Sequence, residues 1–187
     1  MHSASRRTRG FTLIELMMTL AVFAVLTAVA VPALGSLIES TESRTARSAL
    51  ITALNTARIH AATKNVYAVA CPSADREYCG RTTEWQPGWI VFIDTDGDGV
   101  RDAGEKLLDV AQPQPGVAIV STAGRTRVIY RPDGSSAGSN VTFTVCDRRG
   151  PAHASALVIN NAGRVRSGTP TTAAALACAA ALEQPRA

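Results

Sequence analysis

An unbroken apolar run of 21 residues, Phe11 to Val31 (FTLIELMMTLAVFAVLTAVAV), constrains this 187-residue chain more than any other feature. As a helix it would be about 31 Å long, near the hydrocarbon thickness of a bilayer. Arg6, Arg7 and Arg9 precede it with no acid among them, whereas the first basic residue after it is Arg44. The positive-inside rule then leaves the N-terminus in the cytoplasm and residues 33–187 outside. In a diderm bacterium that means a single pass through the inner membrane and a periplasmic remainder. The rival reading is a secretory signal cut near Ala28-Val29-Ala30. Against it stands Glu15, whose carboxylate costs on the order of a few kcal/mol in lipid unless it finds a partner, and which a disposable segment has no use for.

The string Arg9-Gly10-Phe11-Thr12-Leu13-Ile14-Glu15-Leu16 resembles the class III signal of type IV pilins and pseudopilins. The resemblance implies that a prepilin peptidase cuts after Gly10 and methylates the amine of Phe11, so that residues 1–10 are a leader. It implies too that Glu15 serves assembly, meeting the N-terminal amine of a neighbouring subunit in a filament. That role is physically sound, since a carboxylate buried among apolar helices needs a cation. Pro32 fits the same family, whose members commonly kink or locally melt the helix at that depth.

Past the membrane the apolar period continues through Leu34, Leu37, Ile38, Ala46, Ala49, Leu50, Ala53, Leu54, Ala57 and Ala61, at steps of three and four. One helix over about 11–63 is expected, transmembrane over 11–31 and amphipathic in its second half. From Val66 onward short β-rich runs alternate with Gly, Pro, Asn and Asp: Val66–Ala70, Trp89–Ile93, Leu107–Val110, Val117–Ser121, Arg127–Tyr130, Val141–Val145, Leu157–Asn160 and Arg164–Arg166. The fold class is therefore α+β, with an antiparallel head over 64–187 packed on the helix. The Ala/Thr-rich tail 169–181 reads as low-complexity sequence.

Four cysteines, Cys71, Cys79, Cys146 and Cys178, lie on the oxidising side of that topology, so disulfides are expected. Three connectivities are open. The economical one closes a local loop with Cys71–Cys79 and ties the tail to a strand with Cys146–Cys178. A zinc site is the rival, weakened by the absence of CxxC spacing and by only three histidines, His2, His60 and His153.

Further strings narrow the resemblance. Cys71-Pro72-Ser73, the Trp85-x-x-Gly88-Trp89 block leading into Val91-Phe92-Ile93-Asp94, and Cys146-Asp147-Arg148-Arg149-Gly150 followed by Asn161-Ala162-Gly163-Arg164-Val165-Arg166 are similar to the FimT branch of the GspH/FimT group. Such proteins are minor pilins of type IV pili or minor pseudopilins of type II secretion, with a stalk helix and a β-sandwich-like head. The implied partners are other pilins, the prepilin peptidase and the inner membrane, with exposure at the cell surface after assembly.

Two segments offer binding chemistry. Asp94, Asp96, Asp98, Asp102 and Glu105, with Gly99 at the sixth place, match the twelve-residue EF-hand loop and make calcium a candidate ligand. The flanking runs read as strands rather than helices, however, so an Asp/Gly-rich hairpin turn is the simpler account. No other cofactor or metal is suggested.

The second segment is basic. Residues 110–187 hold eight arginines against Asp133, Asp147 and Glu183, whereas residues 39–109 sum to −3. On a strand Arg164 and Arg166 project to one face, roughly 6.6 Å apart, close to the phosphate spacing of a nucleic-acid strand. The family resemblance implies DNA capture through this GRxR string in natural transformation, with Gly163, Arg164, Arg166, Arg148 and Arg149 as candidate contacts. Recognition of phosphates alone would be sequence-independent and salt-sensitive. The competing readings are solvated edge-strand charges or pairing with Asp147, and a secretion pseudopilin that binds no nucleic acid. No catalytic triad, nucleophile elbow or phosphate-binding glycine loop is present, so no enzyme is expected.

Overall fold

The computed structural model of the chain describes residues 11–183, so the leader 1–10, including the cleavage residue Gly10, and residues 184–187 lie outside the described residues. Helix α1 spans Leu13–Lys64. Its start follows from Thr12, whose Oγ1 accepts the Glu15 backbone N–H at 3.3 Å in the manner of an N-cap. Its end follows from Asn65, at φ 56°, after which the Val66 N–H bonds back to the Ala61 carbonyl at 3.2 Å. Helical assignment continues through Pro32, so the local melting expected there is not seen.

The chain divides into two compact units, one ending at Ile38 and the other beginning at Glu39. In the first, the helix exposes its large apolar residues on every side, from Leu13 to Ile38. It is long and apolar enough to cross a membrane. Leu34, Leu37 and Ile38, placed by periodicity on the covered face, are exposed with the rest.

In the second unit the helix buries Ser43, Ala46, Leu50, Ala53, Leu54, Ala57 and Ala61. The small alanines let two antiparallel sheets approach the helix closely. One sheet runs β3(Leu107–Val110)-β2(Trp89–Asp94)-β1(Tyr67–Pro72)-β5(Val128–Tyr130). The other runs β4(Val117–Ser121)-β6(Val141–Asp147)-β7(Ser155–Ile159)-β8(Val165–Gly168). Their inner faces, carrying Ala68, Val91, Val128 and Tyr130 from the first and Ile119, Phe143, Val145 and Leu157 from the second, close on α1 as one core. Trp85 fills the centre and meets Phe143 edge-on, ring centroids 4.9 Å apart.

The first sheet and the β4–β6 half of the second are covered on their outer faces as well, which explains continuous apolar runs such as Trp89–Ile93. Val69, Cys71, Ile90 and Phe92 form a second cluster behind the first sheet, with Cys79 and Ile129 packed against it. Behind the second, the Ala/Thr-rich tail expected as low-complexity sequence is instead a helix, α2, Thr172–Glu183. It packs Cys178, Ala181 and Leu182 over Ala118 and Cys146.

Candidate functional site

The turn between β7 and β8 carries the basic motif, and its shape depends on a glycine. Gly163 has φ 75°, a left-handed conformation, and its N–H donates to the Asn160 carbonyl at 2.8 Å. A Cβ there would collide with the Gly134 carbonyl oxygen and stand 3.2 Å from the Tyr130 ring and 3.3 Å from Arg58 Nε. The turn is thus pressed onto a neighbouring one. Ser136 N–H donates to the Asn161 carbonyl at 2.9 Å, and Arg58 Nε donates to the Gly134 carbonyl at 3.0 Å. Tyr130 is fully buried beneath, and burial pushes its phenol above the ordinary range, with the Arg58 charge opposing part of that rise.

Arg164 and Arg166 are both exposed. Arg166 stands opposite Val158 in the ladder, on the outward face of the sheet, while Val165 between them faces Ile159 and the core. The i, i+2 projection expected of the two arginines is therefore compatible with the register, and neither forms an ion pair with Asp147.

Asp147 belongs to Arg149. Its carboxylate accepts Arg149 Nε at 2.9 Å, Nη2 at 2.7 Å and the Arg149 backbone N–H at 3.0 Å. Burial alone would push the Asp147 carboxyl up, but the Arg149 bonds and charge outweigh it and hold the group below the usual carboxylate range. Arg148, next to it, is exposed. Both follow β6 at the end of the sheet where β7 begins, whereas Gly163–Arg164 follow β7. The sequence grouped five residues; the structure separates Arg148 and Arg149 from the other three by the length of β7 and neutralises Arg149.

The acidic loop joins β2 to β3, which pair as an antiparallel hairpin, so the helices of an EF-hand are replaced by strands. One carboxylate oxygen each of Asp94, Asp96 and Asp98 lies within 4.8 Å of the others. Asp102 and Glu105 do not join them. Glu105 spends one oxygen on the Thr95 N–H and hydroxyl, at 2.6 and 3.1 Å, and the other on the Asp102 N–H at 3.1 Å. Asp94 accepts the Gly97 and Gly99 N–H groups at 2.7 and 3.0 Å. Burial, helped by the Glu105 charge, pushes the Asp94 carboxyl up. The five-carboxylate calcium set is not assembled: the loop closes on its own backbone donors.

The cysteines pair as Cys71–Cys79 and Cys146–Cys178, with Cα–Cα distances of 5.5 and 6.1 Å, which removes the zinc reading. In the helical unit Phe11 and Glu15 are exposed. Two arginines that sequence reasoning passed over also approach the basic edge: Arg58, held against the turn before β8, and Arg47, whose Nη2 donates to Ser167 Oγ in the strand itself. The available signal was their spacing of eleven residues, three helical turns, on α1.

A family model described as "Type II transport protein GspH" matches residues 46–163, and a prokaryotic N-terminal methylation motif matches residues 5–31. No curated protein sequence is significantly similar to the chain. Among solved structures, the type IV minor pilin FimU of Pseudomonas aeruginosa is 18% identical and superposes with a TM-score of 0.55, covering 71% of this chain and 92% of its own. The minor pseudopilin EpsH from the type 2 secretion system of Vibrio cholerae is 11% identical with a TM-score of 0.49, covering 70% and 98%. The first establishes a shared fold.

Proposed function

The chain belongs to the GspH family of type II transport proteins, and from that membership we propose that it is a minor pilin of a type IV pilus that captures DNA for uptake in natural transformation. The coarser role, a minor pilin or pseudopilin that is processed at its methylation motif and assembles with other pilins, comes with the family and the motif. The FimT-like activity is our reading. In it the apolar helix anchors the chain in the inner membrane, the prepilin peptidase cuts between Gly10 and Phe11, and the head stands in the periplasm until the filament carries it outward.

One observation carries the DNA reading: Arg166 is exposed on edge strand β8 and Arg164 is exposed immediately before it, and neither has a carboxylate partner among the described residues, where Arg149 pairs with Asp147. Two residues apart on extended chain, Cα atoms lie about 6.6 Å apart, close to the spacing of consecutive phosphates, so a pair of guanidinium forks at that spacing can grip one backbone. Tyr130 and Phe143, the aromatics of the basic half, are fully buried and supply no stacking platform. Binding is then a phosphate contact, blind to sequence and weakened by salt. Replacing Arg164 and Arg166 by glutamine in the full chain, held in a non-ionic detergent, should weaken retention of a random duplex at least about tenfold across a salt series. Unchanged affinity would reject the reading. The match to a type II transport family favours the second reading, a secretion pseudopilin whose head contacts only other subunits, and that result would leave it standing.

A further inference from the structure

Edge strand β8 is approached from both sides by cations, of which it carries one, Arg166, with Arg164 just before its first residue. Arg47 donates to Ser167 near one end of the strand, and Arg58 lies against Gly163 just before the other. Eleven residues are three turns of helix, so both side chains leave one face of α1, about 16 Å apart. From Gly163 to Ser167 the backbone covers about 13 Å. Helix and strand therefore match in length, and the helix sets one guanidinium at each end of the strand.

Register assigns the sides. Ser167 stands opposite Leu157 and Val165 opposite Ile159, on the face that closes on α1, whereas Arg166 stands opposite the outward Val158. Arg166 thus lines the outer side of the strand, with exposed Arg164 just before it, while Arg47 reaches the strand from its inner side and Arg58 stands beside the turn that precedes it. Between them β8 has a ladder neighbour on one side only. None of the four guanidiniums has a carboxylate partner among the described residues. Arg47 Nε is moreover buried with no hydrogen-bond partner, and the hydrogen bond of Arg58 runs through Nε to Gly134. Uncompensated, half-buried guanidiniums beside two exposed ones make a strongly anion-seeking seam, because low local dielectric raises the value of each contact.

We infer that the nucleic-acid contact of this chain is the whole β8 edge gripped from both sides, with Arg47 and Arg58 of α1 supplying phosphate contacts that the GRxR string does not contain. This rests on the DNA-binding reading above and enlarges its site from two cations to four. At about 16 Å the seam spans about three successive phosphates at the spacing set by Arg164 and Arg166.

The test uses the full chain in non-ionic detergent and a short random duplex, with affinity read between about 50 and 200 mM salt. Replacing Arg47 and Arg58 together by glutamine should lower the slope of log affinity on log salt by about 1.8, two duplex phosphates at about 0.9 each, and weaken binding more than about tenfold at the low-salt end. The R47K/R58K pair, which keeps both charges, should retain the wild-type slope. Three outcomes overturn the inference. Wild-type affinity and slope in R47Q/R58Q, while R164Q/R166Q binds weakly, removes the α1 arginines and leaves the DNA reading intact. Equal loss in the lysine and glutamine pairs shows that Arg47 and Arg58 only brace the strand. Wild-type binding by R164Q/R166Q sinks the DNA reading itself. Should R47Q/R58Q fail to show a cooperative thermal transition, the folded lysine pair decides alone, and a reduced slope there overturns the inference.

Discussion

Asp147 is fully buried and acts through a partner two residues along the chain, so its protonation reports directly on one contact. Its carboxyl is held below the ordinary range in the folded state. A lowered folded pKa means that the unfolded chain binds the proton more readily, so the group contributes stability above its unfolded value, near 3.8, and loses it as pH falls through the folded value. Replacing Arg149 by alanine removes the guanidinium bonds and charge and leaves only the backbone N–H of residue 149 and Ser43 against burial. The folded pKa should then rise from its depressed position, so the stability that Asp147 contributes at neutral pH shrinks. We expect R149A to lose about 2–3 kcal/mol at neutral pH and to recover part of that loss toward pH 4, measured as the difference between wild-type and variant thermal unfolding curves. A pH-independent difference would show that the Arg149 guanidinium is not what steadies this carboxylate. DNA affinity should be untouched by this change, because Arg149 already spends its charge inside the molecule.

At the scale of elements, α2 depends on its disulfide more than on its own sequence. Its twelve residues are too few for a stable isolated helix in water. Cys178 sits on the buried face over Ala118, bonded to Cys146 of β6 across 32 residues. Replacing both cysteines by alanine should cost about 3.5 kcal/mol in the loop-entropy model and reduce helical circular dichroism by the share belonging to α2. A variant with wild-type thermal stability and unchanged helicity would show that packing alone docks this helix. The sequence concealed α2 because an alanine-rich segment lacks the alternation of polar and apolar faces that marks a helix, although alanine is the strongest helix former and Thr171 caps the first turn through the Ala174 N–H at 3.2 Å. All eight strands were legible, since Gly, Pro, Asn and Asp interrupt each apolar run. In the basic region Arg164 and Arg166 could be found by spacing, and Arg149 was misgrouped because a run of charge does not reveal which member faces a buried acid. Arg47 and Arg58 are hidden for a different reason: their spacing shows only that they share a face of α1, and what that face meets is remote in sequence, 120 residues for Arg47 and Ser167 and 76 for Arg58 and Gly134.

For the molecule as a whole, the decisive group is Glu15, whose assembly role is the one expected from the family. Its backbone N–H is capped by Thr12, and the Thr12-x-x-Glu15 spacing is that of a capping box, in which glutamine serves at the third position as well as glutamate. Glu15→Gln therefore removes the charge and spares the helix start, a cleaner change than truncation to alanine. If a neighbouring subunit's N-terminal amine neutralises this carboxylate inside the filament, the neutral variant leaves that amine buried without its counter-ion. Breaking one side of a buried pair costs about 3–5 kcal/mol, so incorporation into filaments should fall by roughly a hundredfold or more while membrane insertion persists or improves, the charge having gone from the apolar run. Sheared filaments and membrane fractions, compared by immunoblot, separate the two quantities. E15Q present in filaments at the wild-type ratio would mean that the carboxylate does nothing for assembly. E15Q missing from membranes as well would mean that the defect precedes assembly, and the amine partnership would again be the wrong account.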